Sequence, residues 1–226
     1  ETMKDRKLHE DTVYMHHKDG HRIPIYVRTS PLTDKNNKVV GGIEIFTDVS
    51  KQADNALHLK ELEKLALLDA LTNLANRRYL EQEITNRLSE MERFNVPFGI
   101  LFMDLDYFKS INDIYGHEAG DDVLRYVAKT FFNNSRPFDL FGRWGGEEFV
   151  AIIRNVDDER LLSIAERVRR LIQESYILRE EETILVTISI GATIAKPDDS
   201  LEDIVRRADE NMYRSKTAGR NRVTLV

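Results

Sequence analysis

The 226-residue chain is 41% hydrophobic and 32% charged, which is enough apolar material for one core of roughly 150 residues with a smaller piece beside it. A formal net charge of −6 leaves no global basic field to hold a nucleic-acid polymer, so any nucleotide must be bound locally. Cysteine is absent, which excludes disulfides, thiolate metal sites and cysteine nucleophiles and matches a reducing compartment; no apolar run approaches the ~18 residues of a membrane span, and no leader is visible.

Residues 1–50 alternate in the manner of strands. Ile23, Ile25 and Val27 point one way with period 2, and Ile43 and Ile45 do so after the turn-forming Asp34-Lys35-Asn36-Asn37-Lys38, which predicts an antiparallel sheet. Residues 51–68 contain neither proline nor glycine and set Leu57, Leu59, Leu62, Leu65 and Leu68 among charges. That is an amphipathic helix, either a short coiled-coil relay or a helix packed on its own domain. A second helix is predicted from Asn76, its N-cap, to Phe94, with Leu80, Ile84, Leu88 and Met91 inward. The apolar run 98–103 reads as a strand, and 119–132 as a helix whose inner face is Val123, Leu124, Val127, Ala128 and Phe131. Apolar runs at 138–141 and 149–153 flank a glycine turn and predict a hairpin. A helix over 159–173, one central strand over 183–195 and a final helix complete the chain. That last helix opens on a Ser200 to Asp203 capping-box pattern and ends at Gly219. Hairpins interleaved with helices imply an α+β fold, a mixed sheet flanked by helices.

Two acidic stretches carry chemistry. In Arg143-Trp144-Gly145-Gly146-Glu147-Glu148-Phe149 adjacent glycines supply φ > 0 and let a phosphate or metal approach the backbone, while adjacent carboxylates create a potential that a cation or proton relieves. Alone, this is equally an ordinary hairpin with solvated acids. The run 98–103 ends in Asp104-Leu105-Asp106, and period 2 puts both carboxylates on one face of a strand end with the Leu105 carbonyl between them. Hard oxygens in this arrangement suit Mg²⁺, and carboxylates from two neighbouring strands describe a two-metal nucleotidyl-transfer site. Asp106 serves equally well as a holder of the strand-to-helix turn.

Gly145-Gly146-Glu147-Glu148-Phe149 resembles the signature of GGDEF-domain diguanylate cyclases, in the variant with Glu third. Asp69-Ala70-Leu71-Thr72-Asn73-Leu74-Ala75-Asn76-Arg77-Arg78 is similar to that family's opening motif, and Asp104 to Asp113 to its metal and nucleotide motif. Gly116-His117-Glu118-Ala119-Gly120-Asp121 and Lys216 to Arg222 complete the set in order and spacing. Likewise His17-Lys18-Asp19-Gly20 through Asp48-Val49-Ser50 resembles the C-terminal half of a PAS sensor domain. The organisation expected is therefore 1–50 a partial PAS-like segment, 51–68 a linker helix and 69–226 a GGDEF domain. Because the chain opens on Glu1, it reads as a fragment whose parent could carry sensors or membrane helices upstream, the expectation for the fragment itself being the bacterial cytoplasm with no membrane contact.

The resemblance implies the palm-like fold of nucleotide cyclases and an enzyme condensing two GTP into cyclic di-GMP and two pyrophosphates, as a facing homodimer. It assigns Asp104, Glu147 and the Leu105 carbonyl to Mg²⁺, with Mn²⁺ as an alternative. Glu148 either assists the second ion or deprotonates the 3′-hydroxyl. Asn112 and Asp121 map onto the guanine-reading pair, since a carboxylate accepts from guanine N1–H and N2–H₂, donors that adenine lacks in that pattern. Lys109, Lys216 and Arg220 take the triphosphate, with Gly145 and Gly146 beside it. Arg136 and Asp139, supported by Arg167, map onto an inhibitory product site. The rival readings are an inactive module that only binds cyclic di-GMP, and a relaxed cyclase making mixed cyclic GMP-AMP.

Overall fold

The computed structural model describes residues 2–50, 66–179 and 182–226, and the chain divides into two compact units, Glu1–Lys64 and Leu65–Val226. The helix expected over 51–68 lies, up to residue 65, outside the described residues. Among the described residues no helix is long and apolar enough to cross a membrane.

The first unit is a meander of β1 (His9–His16), β2 (Arg22–Thr33) and β3 (Val39–Asp48) in a three-stranded antiparallel sheet. Asp34 Oδ1 accepts from the amides of Asn36 and Lys38, and Asn37 takes a φ of +63°, which asparagine tolerates. Val27 pairs with Phe46 and Arg28 with Ile45. Ile43 and Ile45 therefore stand on the face opposite Ile23, Ile25 and Val27, not beside them. Turn geometry sets that register, and alternation within each strand does not reveal it.

The second unit contains α1 (Arg77–Phe94), β4 (Phe98–Leu105), α2 (Phe108–Tyr115), α3 (His117–Asn134), β5 (Leu140–Gly145), β6 (Glu148–Arg154), α4 (Asp158–Gln173), β7 (Tyr176–Arg179), β8 (Glu182–Leu185), β9 (Ile188–Ile194), α5 (Leu201–Thr217) and β10 (Val223–Leu225). Its five-stranded sheet runs β10-β9-β4-β6-β5, antiparallel throughout except that β10 lies parallel to β9. β4, the middle strand, is buried along its whole length, and its residues alternate between two cores. Leu101, Met103 and Leu105 pack with Phe149, Ile190 and the inner faces of α3 and α4, while Ile100 and Phe102 pack with Leu80, Ile84, Ile204 and Met212 of α1 and α5. The architecture is thus the expected α+β one, a mixed sheet with helices on both faces.

Both predicted N-caps form, whereas the last helix closes on Ala218 as its C-cap, one residue before the Gly219 expected there, which follows at φ +115°. Asn76 accepts from the Tyr79 amide, and Ser200 and Asp203 make the full capping box. The single strand expected over 183–195 is instead broken: β8 pairs with β7 in a separate two-stranded hairpin, and Val186–Thr187 leaves the ladder. Thr187 still meets β4 in the register of β9, its carbonyl accepting from the Asp106 amide at 2.8 Å, whereas Leu185 pairs with Tyr176 of β7. The strand expected at 138 begins at Leu140, leaving Phe138 74% exposed outside it. Helix α2 and strand β10 are too short to carry a period.

Helix α5 lies on β9 almost backbone to backbone. A Cβ added at Gly191 would sit 2.0 Å from the Ala208 carbonyl oxygen and 2.1 Å from the Met212 amide, and neither can move without shifting the helix. Gly191→Ala is accordingly expected to cost about 3 kcal/mol or more, at the upper end of overpacking effects. Urea unfolding checks this, and a loss below about 1 kcal/mol would mean that α5 is free to slide.

Candidate active site

β4 is apolar as far as Met103 and then carries Asp104 to the rim of the sheet. Alternation turns Asp104 towards α5, the side of Ile100 and Phe102. In register it stands opposite Glu148 of β6 and Ser189 of β9, and the Leu105 amide approaches the Glu147 carbonyl at 3.4 Å. The fold therefore brings Asp104, Glu147 and Glu148 together. Asp104 is 5% exposed. Its Oδ1 has no aligned hydrogen-bond donor among the described residues, and its charge is met by Lys216 Nζ at 2.7 Å, from the last turn of α5.

The carboxylates here are short of counter-charge. Burial lifts the Asp104 carboxyl above its ordinary range; Lys216 pulls it down, and Asp106 and Asp209 push it up. Glu147 is raised by burial and by Asp104, and Glu148 by burial, Asp104, Asp209 and Glu147, with Lys216 opposing both. Asp209 itself is raised by burial and Glu210 against Lys216. Sequence reasoning missed Asp209, although it stands seven residues before Lys216, two helical turns on one face. This donor set fits a hard divalent cation. Among the described residues no group of three or more His, Cys, Asp or Glu is arranged to hold a metal ion by itself, so an ion here would draw further ligands from water and phosphate, as Mg²⁺ does.

Asp106 has a different environment from Asp104. Its Oδ1 accepts from Ser189 Oγ at 2.7 Å, and its Oδ2 from Thr187 Oγ1 at 2.7 Å and the Asn221 amide at 3.0 Å. It is a buried tie between β4, β9 and the loop after α5, not a second carboxylate presented beside Asp104. That loop takes positive φ at Gly219, Arg220 and Asn221. Arg220 lies over the Tyr107 ring, 4.7 Å from its centroid. In the hairpin turn only Gly146, at φ +50°, needs the left-handed region; Gly145 ends β5 outside that region, so the expectation of two such glycines is corrected.

Asn112 lies in α2 and Asp121 in α3, and the two helices meet at Gly116, whose amide donates to the Asn112 carbonyl at 2.9 Å. The Asn112 amide side chain lies against Gly120, where an added Cβ would sit 1.9 Å from its Oδ1. Asp121, half exposed, has Arg125 at 3.9 Å. Lys109 is exposed on α2.

A second cluster lies before β5. Residues 136–139 form a turn closed by the Asp139 amide to the Arg136 carbonyl at 3.1 Å. Burial raises the Asp139 carboxyl, while the Arg154 and Arg136 backbones and the Arg136 and Arg167 charges act against it. Arg136, Phe138 and Asp139 line a cleft of about 550 Å³ together with Arg154 and Arg160, which sequence reasoning did not single out. Arg167 is not among its lining residues and donates to the Asn134 carbonyl at 3.2 Å.

Raised carboxyl pKa values have a stability consequence. When the folded value exceeds the unfolded one, ionisation opposes folding. That cost is fully present above the folded value and is lost as pH falls through the folded value towards the ordinary range. Glu148→Gln removes one such charge. In metal-free buffer it is expected to raise stability at pH 7 by under about 1 kcal/mol, with the gain fading towards about pH 4. Urea midpoints at the two pH values check this; a destabilised variant at pH 7 would contradict the charge imbalance.

A family model described as "Diguanylate cyclase, GGDEF domain" matches residues 66–222. The chain is 37% identical over 185 residues to Diguanylate cyclase A of Treponema denticola, covering 80% of this chain and 50% of that protein. To Response regulator PleD of Caulobacter vibrioides it is 40% identical over 163 residues, covering 71% and 36%. The chain thus spans half or less of the length of these curated relatives. Among solved structures, the coiled coil and GGDEF domain of DgcB from Caulobacter crescentus in complex with c-di-GMP aligns with a TM-score of 0.75 at 31% identity, over 79% of this chain and 95% of that one. The active GGEEF domain of a diguanylate cyclase from Vibrio cholerae aligns with a TM-score of 0.63 at 33% identity, over 67% and 97%.

Proposed function

The chain belongs to the GGDEF-domain family of diguanylate cyclases, and on that premise we propose that it condenses two GTP molecules into cyclic di-GMP with release of two pyrophosphates. The observation that carries this reading is the pairing of buried Asp104 with Glu148 across β4 and β6, beside Lys216. Asp104, Glu147 and the Leu105 carbonyl would hold Mg²⁺, or Mn²⁺ in its place, and such an ion would supply charge to offset the phosphates and to lower the pKa of the attacking hydroxyl.

The chain's own residues do the rest. Lys216, Lys109 and Arg220 draw in the triphosphate, and the open backbone at Gly145 and Gly146 leaves room beside the turn. Asn112 and Asp121 read the guanine edge, which selects GTP over ATP. Glu148, whose carboxyl is held above its ordinary range, accepts the 3′-hydroxyl proton. Each 3′-hydroxyl attacks the α-phosphorus of the other nucleotide, so two copies face each other across a two-fold axis. Cyclic di-GMP binds at Arg136 and Asp139, with Arg167 in support, and inhibits from outside the catalytic centre. Residues 1–50 serve as a PAS-like sensor segment and 51–68 as the connecting helix ahead of the cyclase at 69–226, all in the bacterial cytoplasm where GTP is supplied.

Incubation with GTP, ATP and Mg²⁺ followed by mass spectrometry of the products tests the reaction; cyclic di-GMP alone is expected. Glu147→Gln is expected to lose activity by about 100-fold or more, the scale on which charge stabilisation is lost, while keeping its urea midpoint. Near-wild-type turnover would remove Glu147 from the mechanism. Arg136→Ala is expected to leave the initial rate within about twofold and to relieve inhibition by added cyclic di-GMP, since an exposed contact outside the centre contributes little to the fold. An unchanged inhibition curve would place product binding elsewhere.

A further inference from the structure

The acidic turn is held from a distance. Among the described residues, and apart from the immediate chain neighbours, no heavy atom lies within 4 Å of a Cβ built at Gly145 or Gly146, so these two positions of the tip are not held by packing against them. Arg143 holds the turn instead. Its Nε and Nη2 donate to the Gly146 carbonyl at 2.9 and 2.7 Å, while its Nη1 faces the two Asp69 carboxylate oxygens at 3.3 and 3.4 Å. Asp69 is fixed in turn by the Thr72 amide at 2.9 Å and the Thr72 hydroxyl at 2.7 Å. The backbone doubles the link, with the Arg143 amide on the Ala75 carbonyl at 2.8 Å and the Asn76 amide on the Leu67 carbonyl at 2.8 Å. Both side chains of the ion pair are largely shielded, 17% and 23% exposed, which strengthens it relative to a surface pair.

We propose that Arg143 is a positioning residue for Glu147, and that through it Asp69 couples residues 66–69, where the unit begins, to the acidic turn. This rests on the reading of Glu147 as a metal-site carboxylate. One planar guanidinium reaches the carbonyl and the carboxylate at once, which a lysine ammonium cannot do with the same geometry. A displacement at Leu67 or Asp69 therefore reaches the turn that bears Glu147 without passing through the sheet core.

The test uses the full chain with Arg143→Ala, Arg143→Lys, Asp69→Asn and the double variant of Arg143→Ala with Asp69→Asn. Readouts are kcat, KM for GTP, the urea midpoint, and Mn²⁺ affinity by electron paramagnetic resonance with 3′-deoxy-GTP bound, which lacks the attacking hydroxyl and cannot turn over. Supporting residues of this kind typically cost about 10- to 100-fold in metal affinity or rate. Arg143→Ala is expected to lower kcat and Mn²⁺ affinity on that scale with KM within about twofold, and Arg143→Lys is expected not to rescue it. Asp69→Asn is expected to cost several-fold alone and nothing further in the double variant, about the behaviour of one linked unit. Should Arg143→Ala fail to fold, Arg143→Lys and Asp69→Asn carry the same readouts. Wild-type kcat and Mn²⁺ affinity in the Arg143 variants, with Glu147→Gln inactive, would overturn the latch. Full activity of Glu147→Gln would overturn the underlying reading of that residue. Losses that merely follow the urea midpoint and vanish on cooling, or that add in the double variant, would also overturn the coupling.

Discussion

The structure depends on a carboxylate placed where water is scarce. β4 is buried throughout, yet its last turn towards the rim carries Asp104, and an isolated buried charge costs several kcal/mol unless something answers it. Lys216 gives that answer. For the ammonium to arrive there, α5 must start and lie correctly. Its capping box defines the first turn, and the contact with Gly191 lets the helix approach β9 closely. One cation set against Asp104, Glu147, Glu148 and Asp209 leaves the site short of positive charge, which is the condition in which a divalent ion and its phosphate ligands are welcome.

Two aspartates separated by one residue show how environment divides the work. Asp104 meets a cation and other acids; Asp106, among the described residues, accepts from neutral donors, the hydroxyls of Ser189 and Thr187 and the backbone amide of Asn221. Those donors secure a loop whose non-glycine residues Arg220 and Asn221 have positive φ, a conformation that persists only where surrounding contacts over-determine it. Arg220 is thereby presented over Tyr107, beside the strand end that carries Asp104. Thr187, between β8 and β9, serves Asp106 with both its carbonyl and its hydroxyl.

Much of this molecule was determined by local pattern. The helices at 77–94 and 158–173 follow from apolar spacing and from side chains that cap their own backbone, and such interactions are complete within a few residues. Ordered motifs along the chain sufficed to identify the family, and among the residues they mark Asp104, Glu147, Glu148 and Lys216 meet at one end of the sheet. What only the tertiary structure decided is how charges and faces divide. Alternation could not say that Ile45 stands on the face of the sheet away from Ile25, because register comes from pairing. Spacing could not say that Asp106 turns to hydroxyls 81 and 83 residues away while Asp104 turns to Lys216. Nor could it show that Arg143 joins Gly146 to Asp69 across 74 residues. Burial and long-range hydrogen bonding assign those roles, and both exist only once distant segments have packed.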